Sequence, residues 1–242
     1  LAPYNKKIHV LNPKQVNKFK LSYNDLPKND YVDSFVIADC LRFGRINKEV
    51  YLDDYRYAAL KNLTRARFFA VQNLTREKQR FLNQLFKKYS TMAQEKVFSD
   101  TFSTTALAVY ESFESAETLA NMDLHQLTEF IIEKGKNRFP DPDSVAKAIQ
   151  KAARSSYRLP KTVNDSVNQV LSISISSMRA MESQIKAFDK AIAEQMALIP
   201  NTLTSVNGIG PVYSAGIIAE IGDISRFPNQ ASLAKYDGLM WS

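Results

Sequence analysis

Val206-Asn207-Gly208-Ile209-Gly210-Pro211 runs directly into Val212-Tyr213-Ser214-Ala215-Gly216-Ile217-Ile218-Ala219-Glu220-Ile221-Gly222-Asp223. The stretch predicts an apolar helix entering a Gly-Ile-Gly turn, with a second helix starting at once. Gly208 and Gly210 allow backbone angles that other residues avoid, and Pro211 suits a first helical position. Ala215, Gly216 and Ala219 are small enough for helices to approach closely. Free amides in a tight turn that feeds a helix N-terminus hold phosphate oxygens. Gly208, Ile209 and Gly210 are therefore candidate nucleic-acid contacts of a helix-hairpin-helix. The alternative is a tight turn with a purely structural role.

The residues before this stretch form a second long helical pattern. Leu171, Ile175, Met178, Met181, Ile185, Phe188, Ile192 and Met196 make an apolar seam over 163–198, which Pro200 closes. A matching pattern begins near Asp53-Asp54, where Leu60, Leu63, Ala70, Leu74, Phe81 and Leu85 recur at spacings of three, four and seven. Neither proline nor glycine occurs between Gly44 and Gly135, so 53–96 reads as one continuous helix. Two such seams predict a long antiparallel coiled coil with 100–160 inserted at its tip. Core helices of an ordinary bundle are the alternative. The inserted segment reads as shorter helices broken at Met122-Asp123, Gly135 and Phe139-Pro140-Asp141-Pro142, with Asp143 or Ser144 capping a helix over 145–156. Nearer the N-terminus, residues 7–11 read as a short strand and Lys14 to Leu21 as a short helix. A further helix from Lys28 carries Val32, Phe35, Val36, Asp39 and Cys40 and ends at Gly44. The fold class is mainly α, divided into residues 1–50, 51–200 and 201–242.

Composition narrows the function. The 242 residues suffice for a sizeable core, and the net charge of +7 favours a polyanionic partner. No apolar run reaches the ~20 residues of a membrane span, and the basic, polar N-terminus lacks a secretory signal. The single cysteine, Cys40, fits a reducing compartment, which points to the cytoplasm. With His9 and His125 as the only histidines, a His-rich metal site is excluded. No nucleotide-binding glycine motif or Ser-His-Asp set is present. The chain opens on Leu1 and stops at Ser242, just past Asp237-Gly238, which reads as truncation at both ends.

Two further constellations could carry chemistry. In Lys28-Asn29-Asp30-Tyr31-Val32-Asp33, Asp30 and Asp33 fall one helical turn apart and could share a divalent cation such as Mg²⁺. Acids favoured by the helix dipole are the plainer explanation. The first long helix interleaves Lys61, Arg65, Arg67, Arg76, Lys78, Arg80, Lys87 and Lys88 with Phe68, Phe69, Phe81, Phe86 and Tyr89. Cations meet phosphates and rings stack on bases, although a solvated face over a packed stripe looks the same in sequence. Lys6, Lys7, Lys14, Lys18 and Lys20 add a second basic cluster.

Taken together, these segments resemble a known family. The residues that carry the likeness are Val10-Leu11-Asn12-Pro13, Lys28 to Asp33 with Ile37-Ala38, and Leu60 to Arg67 running on to Asn83. The most specific block runs from Gly208 through Ile218-Ala219-Glu220-Ile221-Gly222-Asp223 and Arg226-Phe227 to Leu233-Ala234-Lys235-Tyr236-Asp237-Gly238-Leu239. The chain resembles insertion-sequence transposases that pair a RuvC-like Asp-Glu-Asp-Asp domain with a C-terminal serine-bearing domain, relatives of the pilin-gene-inverting recombinases. The resemblance implies that residues 1–50 end a RuvC-like α/β domain and that Asp30 and Asp33 are the last two acids of the catalytic, Mg²⁺-binding set. It places the first two acids before Leu1 and the serine past Ser242. It also implies DNA strand cleavage and transfer, guidance by a structured bridge RNA, and dimers or tetramers assembled through the coiled coil. Two other readings are a non-catalytic nucleic-acid-binding module and a coiled-coil scaffold without nucleic acid.

Overall fold

The computed structural model describes residues 9–23, 25–44, 54–92 and 97–239. Every regular element among them is helical. They divide into two compact units, Leu1–Asp54 and Tyr55–Ser242.

In the first unit, α1 (Pro13–Lys20) is capped by Asn12, whose side chain accepts from the Lys14 amide. The Asn-Pro pair thus opens a helix, with proline at its first position. α2 (Asp30–Arg42) is capped by Asn29 and ends at Gly44, whose φ of +63° suits glycine. Val36, Asp39 and Cys40 face inward, whereas Phe35 is half exposed. The strand expected over 7–11 is not seen at His9, Val10 or Leu11, and Lys7 and Ile8 lie outside the described residues. No second strand is present among the described residues to take up its ladder hydrogen bonds.

In the second unit, α3 (Tyr55–Lys88) and α8 (Lys161–Met196) pair over most of their length. Arg56 meets Leu198, Arg67 meets Asp189 and Glu77 meets Ser174. The numbers rise on one helix as they fall on the other, so the pair is antiparallel. α3 stops at Lys88 because Tyr89 turns fully into the core; residues 93–96 of the expected helix lie outside the described residues. Between the two helices come α4 (Thr104–Ser112), α5 (Ala116–Asn121), α6 (Leu124–Gly135) and α7 (Pro142–Ser155). The cap of α7 is Asp141, accepting from the Ser144 amide, rather than Asp143 or Ser144. Pro142 holds the first helical position and sets that register. Asp143 instead accepts from the Thr128 hydroxyl.

This unit has two apolar cores. The larger joins the C-terminal half of α3 and the N-terminal half of α8 to α4, α6 and α7 around Phe81, Leu85, Tyr89, Ile131, Ile149, Leu171 and Ile175. The smaller joins Leu60, Ile192 and Ile199 to Ala215, Ile218 and Ala219 of α9 (Pro211–Ile221). Between the cores no third layer covers the helix pair, so Met181, Ile185 and Phe188 are only half buried. Side chains key the inserted helices to both long ones. Lys88 Nζ donates to the Tyr110 carbonyl at 2.9 Å, and Tyr89 Oη to that of Phe113 at 3.0 Å. Asn164 and Asn168 both donate to the Glu114 carbonyl. Where the chain leaves and rejoins the pair, the Ser90 hydroxyl accepts from the Tyr157 amide and the Ser156 hydroxyl from that of Thr91. α10 (Gln230–Tyr236) completes the described elements.

Candidate nucleic-acid interface

The turn that opens α9 has its own local logic. Gly208 sits at φ +89°, a region that L side chains avoid. Gly210 is extended (φ −73°, ψ 170°), so its backbone would accept any residue. The conformational requirement expected of both glycines therefore rests on Gly208 alone. A one-turn 3-10 helix at Leu203–Ser205, rather than a full helix, precedes the turn. The N-terminus of α9 has no side-chain cap. The Ser214 amide donates to the Gly210 carbonyl, while the amides of Val212 and Tyr213 find no acceptor in the chain. Gly208 and Gly210 are exposed, Ile209 is half buried, and the Tyr213 ring is 73% exposed beside them. The sequence reading had overlooked Tyr213. Ser214, Ala215, Ile218 and Ala219 form the buried face. Gly216 faces open space and makes no close approach.

The C-terminal end of α9 gathers two of the sequence-predicted cations. Glu220 takes Arg65 in a bidentate pair at 2.8 and 3.0 Å and Lys61 at 3.5 Å. The Arg65 hydrogen bond holds the Glu220 carboxyl below its ordinary range, with Lys61 adding to the effect. Arg67 is bound instead to Asp189 of α8. α3 carries nine Lys or Arg against a single acid, Glu77. Of these cations, Arg76, Lys87 and Lys88 have no carboxylate partner, and Lys88 is taken by the Tyr110 carbonyl. The turn and the Glu220 cluster lie at opposite ends of α9, about 15 Å apart at 1.5 Å per residue.

The rest of the block from Gly208 to Leu239 builds the support. Asp223 accepts from the Ser225 amide at 2.9 Å, which lowers its pKa. The Arg226 guanidinium lies 4.6 Å from both the Phe227 and Tyr236 ring centres. Tyr236 Oη donates to the Glu220 carbonyl at 3.2 Å.

In the first unit, Asp30 opens α2 and is exposed. Asp33, a turn later, takes the Lys20 ammonium at 2.6 Å. Sequence reading placed Asp39 on an apolar seam, yet it is the unit's polar pin. It takes Tyr23 Oη and Arg42 Nε, and its hydrogen bond raises the Tyr23 pKa. Mg²⁺ takes one or two protein carboxylates; of the expected pair, Asp33 is engaged by Lys20 and Asp30 is exposed. The described residues hold no group of three or more ligand side chains.

Comparison with known proteins gives these features a family. Residues 1–89 match the model of a transposase of the DEDD, IS110 type, and residues 201–241 match that of the IS116/IS110/IS902 transposase family. The chain belongs to the insertion-sequence transposases. The chain is 26% identical over 235 residues to the insertion element IS116 uncharacterized 44.8 kDa protein of Streptomyces clavuligerus, covering 93% of this chain and 55% of that protein. It thus spans about half the length of that curated relative. No solved structure matches it. Among the described residues of the transposase chain, no helix is long and apolar enough to cross a membrane.

Proposed function

We propose that the chain acts in DNA transposition or site-specific recombination and that its C-terminal part holds nucleic acid at the uncapped start of α9. One observation carries this reading. The exposed turn Gly208–Pro211 presents the free amides of Val212 and Tyr213 together with an exposed aromatic ring. Amides at a helix start bind phosphate oxygens, and the ring offers a stacking surface. The turn works as one half of a helix-hairpin-helix, with the 3-10 helix in place of the first arm. Arg76 and Lys87 extend the basic surface along α3. Lys61 and Arg65 join it only in competition with Glu220, and Arg67 only in competition with Asp189.

Residues 1–50 belong, on this reading, to a RuvC-like domain, with Asp30 and Asp33 as the acids that would hold Mg²⁺. Bound Mg²⁺ would supply charge stabilisation for phosphodiester cleavage. Lys20 orients the Asp33 carboxylate through their 2.6 Å ion pair, which the ion would share or displace. A bridge RNA, if it chooses target and donor by base pairing, leaves the protein to hold backbones. The α3–α8 pair serves as a coiled coil. Its half-buried middle and the exposed Phe68 and Phe69 provide a surface for assembling dimers or tetramers. Such a protein would meet its DNA in the cytoplasm.

Gly210→Glu is the test. The site is extended and open, so the change adds charge at the turn without strain. Fluorescence anisotropy should show duplex affinity weakened by about tenfold, equivalent to ~1.4 kcal/mol, with the melting temperature unchanged. Unchanged affinity would refute the assignment.

A further inference from the structure

The inserted helices border an open cavity of mixed polar and apolar lining that contains none of the site residues described above. It measures about 370 Å³. Ser103, Thr104 and Thr105 line it from the start of α4, and Lys136 and Arg138 from the turn after α6. The Ser103 hydroxyl caps the Ala106 amide at 3.3 Å, and the amides of Thr104 and Thr105 have no acceptor in the chain. Thr105 is the telling residue. It is only 6% exposed, its hydroxyl lines the cavity, and that hydroxyl has no partner. The hydroxyl is open to the cavity, so an entering group can accept from it or donate to it.

The charge at the cavity is positive. Lys136 and Arg138 are exposed and have no carboxylate partner, while Lys134, also on the wall, is held by Glu133 at 2.8 Å. The negative end of α6 is masked by its own turn. Lys136 and Asn137 adopt φ of +50° and +57°, and their amides cover the carbonyls of Glu133 and Ile132. The Phe139 ring lies where a side chain at Gly135 would sit, 2.6 Å from a Cβ built there, and forms an apolar wall. Two free amides, a free hydroxyl and two free cations suit a tetrahedral oxyanion with several oxygens.

We propose that this cavity binds a phosphate group of a nucleic-acid backbone. The choice of polymer rests on the transposase reading above.

Amide NMR on the full chain, titrated with inorganic phosphate, tests the cavity. Thr104 and Thr105 should shift saturably, and Thr105→Val should weaken binding several-fold without moving the melting temperature. Anisotropy with duplex DNA and with structured RNA tests the polymer. The Lys136→Gln, Arg138→Gln double variant should lower the salt slope by about two for whichever nucleic acid occupies the cavity. Absent phosphate shifts, or slopes unchanged for both polymers, would overturn the inference. Unchanged slopes together with a weakened Gly210→Glu variant would leave the α9 assignment intact. Phosphate shifts in a chain that binds neither polymer would support the cavity as a phosphate site and overturn the transposase reading of it.

Discussion

Lys88 is 2% exposed, and burial lowers its pKa to about 8. The unfolded chain then binds more protons than the folded one between pH 8 and 10.5, so stability should rise with pH across that window. The full span is on the order of 3 kcal/mol. Near pH 10 Tyr89 and Tyr110, which burial keeps protonated, begin to oppose this rise, and above pH 10.5 stability falls because their hydroxyls ionise in the unfolded chain alone. Urea melts at stepped pH should show the rise, and Lys88→Met should abolish it. A slope that survives in the variant would contradict this account. At the turn, Gly208→Ala should cost about 1 kcal/mol from its positive φ, while Gly210→Ala should be nearly neutral, as paired thermal melts can show. The Gly-Ile-Gly pattern was legible in sequence because glycine marks unusual backbone. Lys88 was not, because a lysine in a basic run looks solvated until Tyr110 supplies its carbonyl. Asp39 was hidden in the same way, its partners Tyr23 and Arg42 being a matter of fold.

At the scale of elements, the apolar spacing located α3 and α8 because a heptad-like seam signals burial directly. Leu60, Ala70, Phe81 and Leu85 are buried as expected, as are Leu171, Ile175 and Ile192. The ends were less legible. α3 stops at Lys88 through tertiary contacts of Tyr89, and α7 takes Asp141 as its cap because Pro142 follows it. Asp141→Ala should cost about 1 kcal/mol of stability. The strand expected at 7–11 rested on a five-residue pattern, which a neighbouring strand would have had to stabilise. Phe68 and Phe69, about 60% exposed on α3, mark the surface proposed for assembly. Light scattering on a Phe68→Ser, Phe69→Ser variant should show a smaller particle than the parent. An identical mass would remove these rings from the interface.

For the molecule as a whole, charge is balanced locally rather than globally. The basic surplus read from composition is concentrated on α3, yet α8 and α9 answer much of it with Asp189, Glu182 and Glu220. Lys61, Arg65 and Arg67 were legible as cations but not as partners of acids more than a hundred residues away. Glu220→Gln should therefore tighten nucleic-acid binding by a few-fold at low salt by releasing Lys61 and Arg65. Its carboxyl is held below the usual range, so its contribution is present above pH 4.5 and is lost as pH falls through the folded value. As a half-exposed pair it adds under about 1 kcal/mol. The central claim is that nucleic acid lies on the start of α9. Photocrosslinking with iodouracil-substituted DNA, mapped by mass spectrometry, reads this most directly. A crosslink should form at Tyr213 and fade in Gly210→Glu. Crosslinks that spare Tyr213 and its neighbours would contradict that placement.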